Sequence, residues 1–128
     1  MKHTALLLAL FISVQLSAQV PADMIVGKWM KMPKEDLIIE VYRSGAHYNG
    51  KIHWVKEGDT SKQPGFVILE NLQYNEKKES WEDGKIHDPK SGSQYKAAAT
   101  LKPDGSLEVL GYKGLKFIGS KKSFKKVP

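Results

Sequence analysis

The chain has 128 residues, no cysteine and a formal charge of +6. Without cysteine it forms no disulfide and carries no lipid anchor through an N-terminal cysteine, and its length fits one domain behind a leader. The charge is local: residues 113–128 hold six lysines and no acid, and the remainder is close to neutral.

Residues 1–18 read as an export signal. Met1-Lys2-His3 is basic, Ala5 to Leu16 is apolar apart from Ser13 and Gln15, and Ser17-Ala18 supplies small residues before Gln19. That order is a secretory signal, and the apolar run is too short to span a bilayer. Cleavage is expected after Ala18. Leu16 is large for its place three positions before the cut, so Ala22 is a second candidate. Residues 19–24 then read as a short linker and 25–128 as a single domain, placed in the periplasm or outside the cell.

No stretch of the remainder keeps a helical period. Short runs rich in β-branched and aromatic residues alternate with turn clusters instead. The expected strands are Ile25 to Lys31, Asp36 to Arg43, His47 to Val55, Phe66 to Tyr74, Ser80 to His87, Gln94 to Leu101, Ser106 to Tyr112 and Leu115 to Val127. The fifth should kink at Asp83-Gly84 and the eighth should break near Gly119. Lys56 to Pro64 is the longest loop, read as an ordinary solvated connection with a lid as the alternative. Asp88-Pro89-Lys90-Ser91-Gly92 and Lys102-Pro103-Asp104-Gly105 are turns in which proline sets φ early and glycine takes positive φ late. Eight strands with short links describe an up-and-down meander. Closing it into an eight-stranded antiparallel β-barrel removes both edges; a two-sheet sandwich is the alternative.

Alternation assigns faces. Tyr48, Gly50, Ile52 and Trp54 should point inward from the third strand, opposite His47, Asn49, Lys51 and His53. Tyr95, Ala97, Ala99 and Leu101 form the inner set of the sixth, and Leu107, Val109 and Gly111 that of the seventh. Small inward residues leave space, and a barrel of this size holds its own side chains or one small ligand. Trp29, Tyr48, Trp54, Trp81 and Tyr95 are therefore candidates both for core and for ligand-pocket lining.

Gly27-Lys28-Trp29 on the first strand resembles the Gly-x-Trp of lipocalin-like barrels, where a basic residue of the last strand packs over the indole. Lys125 or Lys126 stands at the matching place, so Gly27, Trp29 and Lys126 are candidate barrel-closing residues. A wider resemblance runs through Tyr48-Asn49-Gly50-Lys51-Ile52, the segment Gly84 to Gly92 with Tyr95, Leu107 to Tyr112 and Phe117-Ile118-Gly119. Together these are similar to the secreted bacterial family of domain of unknown function 2147 (DUF2147), with Gly84 to Tyr95 the most specific part. The resemblance implies a small exported, calycin-like β-barrel and no established activity. The chain departs from the pattern at His87, where an aromatic is usual, and at Phe124 with Lys126, where tryptophan and arginine are usual. Lysine lacks the planar stacking of a guanidinium.

Chemistry-bearing constellations are sparse. Asp88 with Asp83 and His87 is too small a donor set for a metal, and an Asp88 that caps its own turn with Pro89 and Gly92 is the plainer account. His47 and His53 would lie about 20 Å apart on one strand, too far to share an ion. No nucleophile elbow is present, and no cofactor is implied. The expected role is non-enzymatic: binding a small apolar or amphipathic molecule inside the barrel. The alternative is an envelope module that holds an anionic partner through the basic last strand, itself weighed against a merely solvated lysine edge. Export and few interleaved aromatics argue against nucleic acid as a partner.

Overall fold

The computed structural model describes residues 21–58 and 62–128. The expected export signal and the cut after Ala18 lie outside them, as do residues 59–61 of the longest loop. Eight strands follow one another: β1 (Gly27–Met32), β2 (Leu37–Ser44), β3 (His47–Val55), β4 (Val67–Asn75), β5 (Ser80–His87), β6 (Gln94–Leu101), β7 (Leu107–Tyr112) and β8 (Ser120–Val127). Each pairs antiparallel with its neighbour in sequence, and β8 pairs with β1, so the sheet is a closed barrel. Among the described residues no helix is long and apolar enough to cross a membrane.

Period-2 patterning drives the closure. In β2, Leu37, Ile39 and Val41 are buried while the residues between them are partly exposed. These three, with Trp29, Ile52, Leu72, Trp81, Ala97, Ala99, Leu107 and Phe124, belong to one contiguous core. The Lys102–Gly105 hairpin carries its expected bonds, Gly105 N–H to the Lys102 carbonyl at 2.9 Å and Lys102 N–H to Ser106 at 2.8 Å. The expected kink at Asp83-Gly84 is a register shift between Trp81 and Gly84, with Asp83 at φ 59°.

Three expectations change. Trp54 does not face the interior: Ile38 pairs with Trp54 but Ile39 with Ile52, so His53 is an extra residue in β3. Such a bulge reverses the alternation beyond it, leaving Trp54 42% exposed and packing Val55 against the core. The last strand starts later than expected, because Lys116–Ile118 form a 3-10 turn before β8. Residues 21–25, read mostly as linker, form a 3-10 helix whose Ile25 is fully buried.

Ala98 faces outward on β6 yet is also buried. Lys116, from the β7–β8 connection, crosses the outer face of β6 to bond Glu82 on β5, which also accepts from the Ser80 hydroxyl at 2.6 Å. Burial by itself would raise the Glu82 carboxyl. Hydrogen bonds from Lys116 and Ser80 outweigh it and hold the group below its ordinary value.

Candidate functional site

The two ends of the barrel are built differently. At the end formed by the start of β1 and the finish of β8, the Pro21–Ile25 helix acts as a plug. Its carbonyls and its carboxylate receive the polar tips of three large aromatic side chains. Trp29 Nε1 donates to Ile25 O at 2.9 Å, Trp81 Nε1 to Ala22 O at 3.0 Å, and the Tyr48 hydroxyl to Asp23 Oδ1 at 2.5 Å. Buried tryptophan and tyrosine need such partners for their polar ends, and the plug supplies them. Arg43 stands 3.6 Å from the same Asp23 oxygen. Burial first, then the hydrogen bond to Asp23 and its charge, push the Tyr48 phenol up to about 12, with Arg43 opposing.

Lys126 completes this end. It pairs with Trp29 in register, sets its Nζ 5.0 Å from the indole centroid and donates to Val26 O at 2.9 Å. The backbone conformation at Gly27 calls for glycine. Its φ is +140°, and a Cβ there would lie 2.8 Å from Lys126 Nζ.

The opposite end is open and leads to a cavity of about 410 Å³. Leu37 and Ile39 of β2, Ile68 and Leu69 of β4, and Ile86 of β5 form one wall. Tyr95, Val109, Gly111 and Phe124 continue it around β6 to β8. Gly111 lets Ile86 pack close against the strand: a Cβ there would lie 3.0 Å from Ile86 Cδ1. The rim is polar, made by Lys31, Lys62, Ser120, Lys122 and the His87-Asp88-Pro89 corner. Asp88 is committed to its turn, accepting from Lys90 N–H at 2.9 Å while its own carbonyl takes the Gly92 N–H at 2.9 Å. The Lys90 bond holds the Asp88 carboxyl below its ordinary value. His87 Nε2 is buried without a hydrogen-bond partner and faces Glu70 Oε1 at 3.7 Å.

The aromatic candidates therefore separate. Tyr95 borders the cavity, with Lys113 Nζ 4.8 Å from its ring centroid. Trp29, Tyr48 and Trp81 anchor the plug, and Trp54 lies outside. Neighbours take the space beside the small inward glycines: Leu69 packs against Gly50 and Ile86 against Gly111, which still borders the cavity. Nor are the lysines of β8 one basic surface. Lys121 stands 3.8 Å from Glu108, Lys122 lines the cavity rim, and Lys126 sits over Trp29. β8 is not an edge either, being paired on both sides. Sequence reasoning missed the plug and the inward lysines Lys31 and Lys122. Continuing the alternation from Trp29 to Lys31 and from Phe124 to Lys122 would have found the latter. Among the described residues no group of three histidine, aspartate or glutamate side chains is placed to hold a metal.

A family model described as "Uncharacterized protein conserved in bacteria (DUF2147)" matches residues 27–126. The chain belongs to DUF2147. The match spans the barrel from Gly27 to Lys126, the two residues that meet at its closed end. A solved structure of similar shape is protein HP1028 from Helicobacter pylori, described as belonging to the lipocalin family. Its TM-score is 0.68 at 16% identity, covering 81% of this chain and 83% of that one. At that identity the likeness establishes the lipocalin-like fold of this DUF2147 member. No curated protein matches the chain. The segment that carries most of the DUF2147 resemblance, Gly84 to Tyr95, supplies Ile86, His87, Asp88, Pro89 and Tyr95 to the cavity.

Proposed function

We propose that this DUF2147 protein, after export and removal of its leader, holds a small apolar or amphipathic molecule in its half-open barrel and does no chemistry on it. One observation carries the reading: an apolar-walled cavity of about 410 Å³ opens at one end only, the other end being plugged. That volume lies in the range of small-molecule sites, which are concave, mostly apolar and largely pre-formed. Among the described rim residues, Asp88 is committed to its own turn and His87 faces Glu70 at 3.7 Å, which leaves no nucleophile–base pair among them.

The test is titration with N-phenyl-1-naphthylamine, a neutral dye that brightens in apolar surroundings, followed by displacement with dodecanol. Saturable one-to-one binding and competitive displacement are expected. Absence of saturable binding, with no small molecule retained in native mass spectra of gently purified protein, would overturn the proposal.

A further inference from the structure

Lys31 and Lys122 occupy inward positions of adjacent strands. Trp29 and Phe124 of the same faces are buried core, and each lysine lies two residues further toward the open end. Lys31 pairs in register with Phe124, which makes Lys122 its diagonal neighbour, about 7–8 Å away between side-chain roots. Two ammonium groups thus border an apolar cavity together with Lys62. Neither Lys31 nor Lys122 has an ion pair within 4.0 Å among the described residues. Asp88, the carboxylate of the rim, is held by its own turn.

Lys31 is half-buried and Lys122 exposed at the mouth, so only Lys31 bears a desolvation cost, yet a pair of inward-facing lysines still calls for a reason. Protection of a sheet edge is a common reason, but β1 and β8 pair with each other and leave no edge. Burial lowers the Lys31 ammonium, Asp36 pulls it up, and the charges of Lys62, Lys122 and Lys34 push it down again. An anion seated between these groups would relieve the repulsion.

We infer that the cavity takes a single-chain amphiphile with an anionic head, its tail among Ile39, Leu69, Val109 and Phe124 and its head between Lys31 and Lys122. This rests on the ligand-binding reading above and adds the sign of the head group. A free fatty acid and a lysophospholipid with an anionic head share that chemistry.

The experiment compares three probes of equal chain length, laurate, dodecanol and dodecyltrimethylammonium, by displacement of N-phenyl-1-naphthylamine below their micelle-forming concentrations. Laurate should compete about tenfold or more better than the other two, the ratio that one charge-assisted contact supplies, and less so at high salt. The double variant Lys31→Gln with Lys122→Gln should lose that preference while binding dodecanol as before, its thermal unfolding serving as the check on folding. Lauroyl-lysophosphatidylglycerol in parallel names the source: whichever of it and laurate binds tighter identifies the natural class. Equal binding of the three probes, or an unchanged laurate preference in the double variant, would overturn the inference yet leave the apolar pocket standing. If none displaces the dye and the dye itself does not bind, both readings fall.

Discussion

Lys126 lies over Trp29 with its Nζ 5.0 Å from the indole centroid, and the same ammonium donates to the Val26 carbonyl at 2.9 Å. One side chain therefore ties the last strand to the first through a ring face and a backbone oxygen. Here the ammonium is exposed and the indole buried; such a cation contributes roughly 0.5–1 kcal/mol, and a charge-assisted hydrogen bond somewhat more. Lys126→Gln should lower stability to urea by about 1–2 kcal/mol, whereas Lys126→Arg should keep most of it. Gly27→Ala should cost as much or more, about 1–3 kcal/mol, because it forces a side chain into a positive φ. Equilibrium urea unfolding of the three variants checks the order.

The plug makes the residue at which the chain starts a structural variable. A chain beginning at Gln19 keeps the Ala22 carbonyl that receives Trp81 Nε1, and a chain beginning at Asp23, as cleavage after Ala22 would produce, lacks it. The shorter chain should be less stable by about 1–3 kcal/mol, the cost of leaving a buried donor unpaired. A chain beginning at Gly27 loses Ile25 and Asp23 as well and should unfold at markedly lower urea. Purified chains of the three lengths, refolded side by side, make the comparison.

Two groups set opposite limits in pH. Glu82 has its folded value depressed, so its contribution is complete above the ordinary glutamate value and is lost as pH falls through the folded one. Tyr48 has its folded value raised to about 12, so its contribution is complete below 10.0 and is lost as pH climbs toward that folded value. Glu82→Gln should flatten part of the acid-side slope in stability. In an absorbance titration of tyrosinate, one of the five tyrosines should ionise last, and Asp23→Asn should bring it nearer the others.

The tryptophans give a further check on which end is open. Trp29 and Trp81 are 1% and 2% exposed at the plug, while Trp54 is 42% exposed outside. Acrylamide should therefore quench one of the three far more readily. Trp54→Phe should remove that accessible fraction at little cost in stability, whereas Trp29→Ala should cost about 3–5 kcal/mol. Because none of the three lines the cavity, native tryptophan emission should respond weakly to dodecanol. Tyr95→Trp, which puts an indole on the cavity wall, should respond clearly.

Much of the barrel was legible because period-2 patterning and turn chemistry act locally. His47 to Val55, Ser80 to His87 and Gln94 to Leu101 appear with the bounds expected of them. Trp54 was misplaced because a bulge at His53 depends on how β2 pairs with β3, which no single strand reveals. The plug escaped for a related reason: Pro-Ala-Asp-Met-Ile is too short to show a period, and it is ordered by indole and phenol groups from strands far along the chain. Gly27, Trp29 and Lys126 were readable as a set, since β1 and β8 must meet if the meander closes. The cavity was not, since it depends on which inner side chains reach across: Leu69 packs over Gly50 and Ile86 over Gly111, and no single strand reveals either.

The pairing of β1 with β8 has a consequence for synthesis. The first strand to leave the ribosome must wait for the eighth, which carries Lys126, the residue that fastens them. An interrupted translation product that stops before Ser120 has every strand except the one that seals the ring. It would present β1 and β7 as bare ladders to other chains and to proteases, and protection from both begins when β8 has been made.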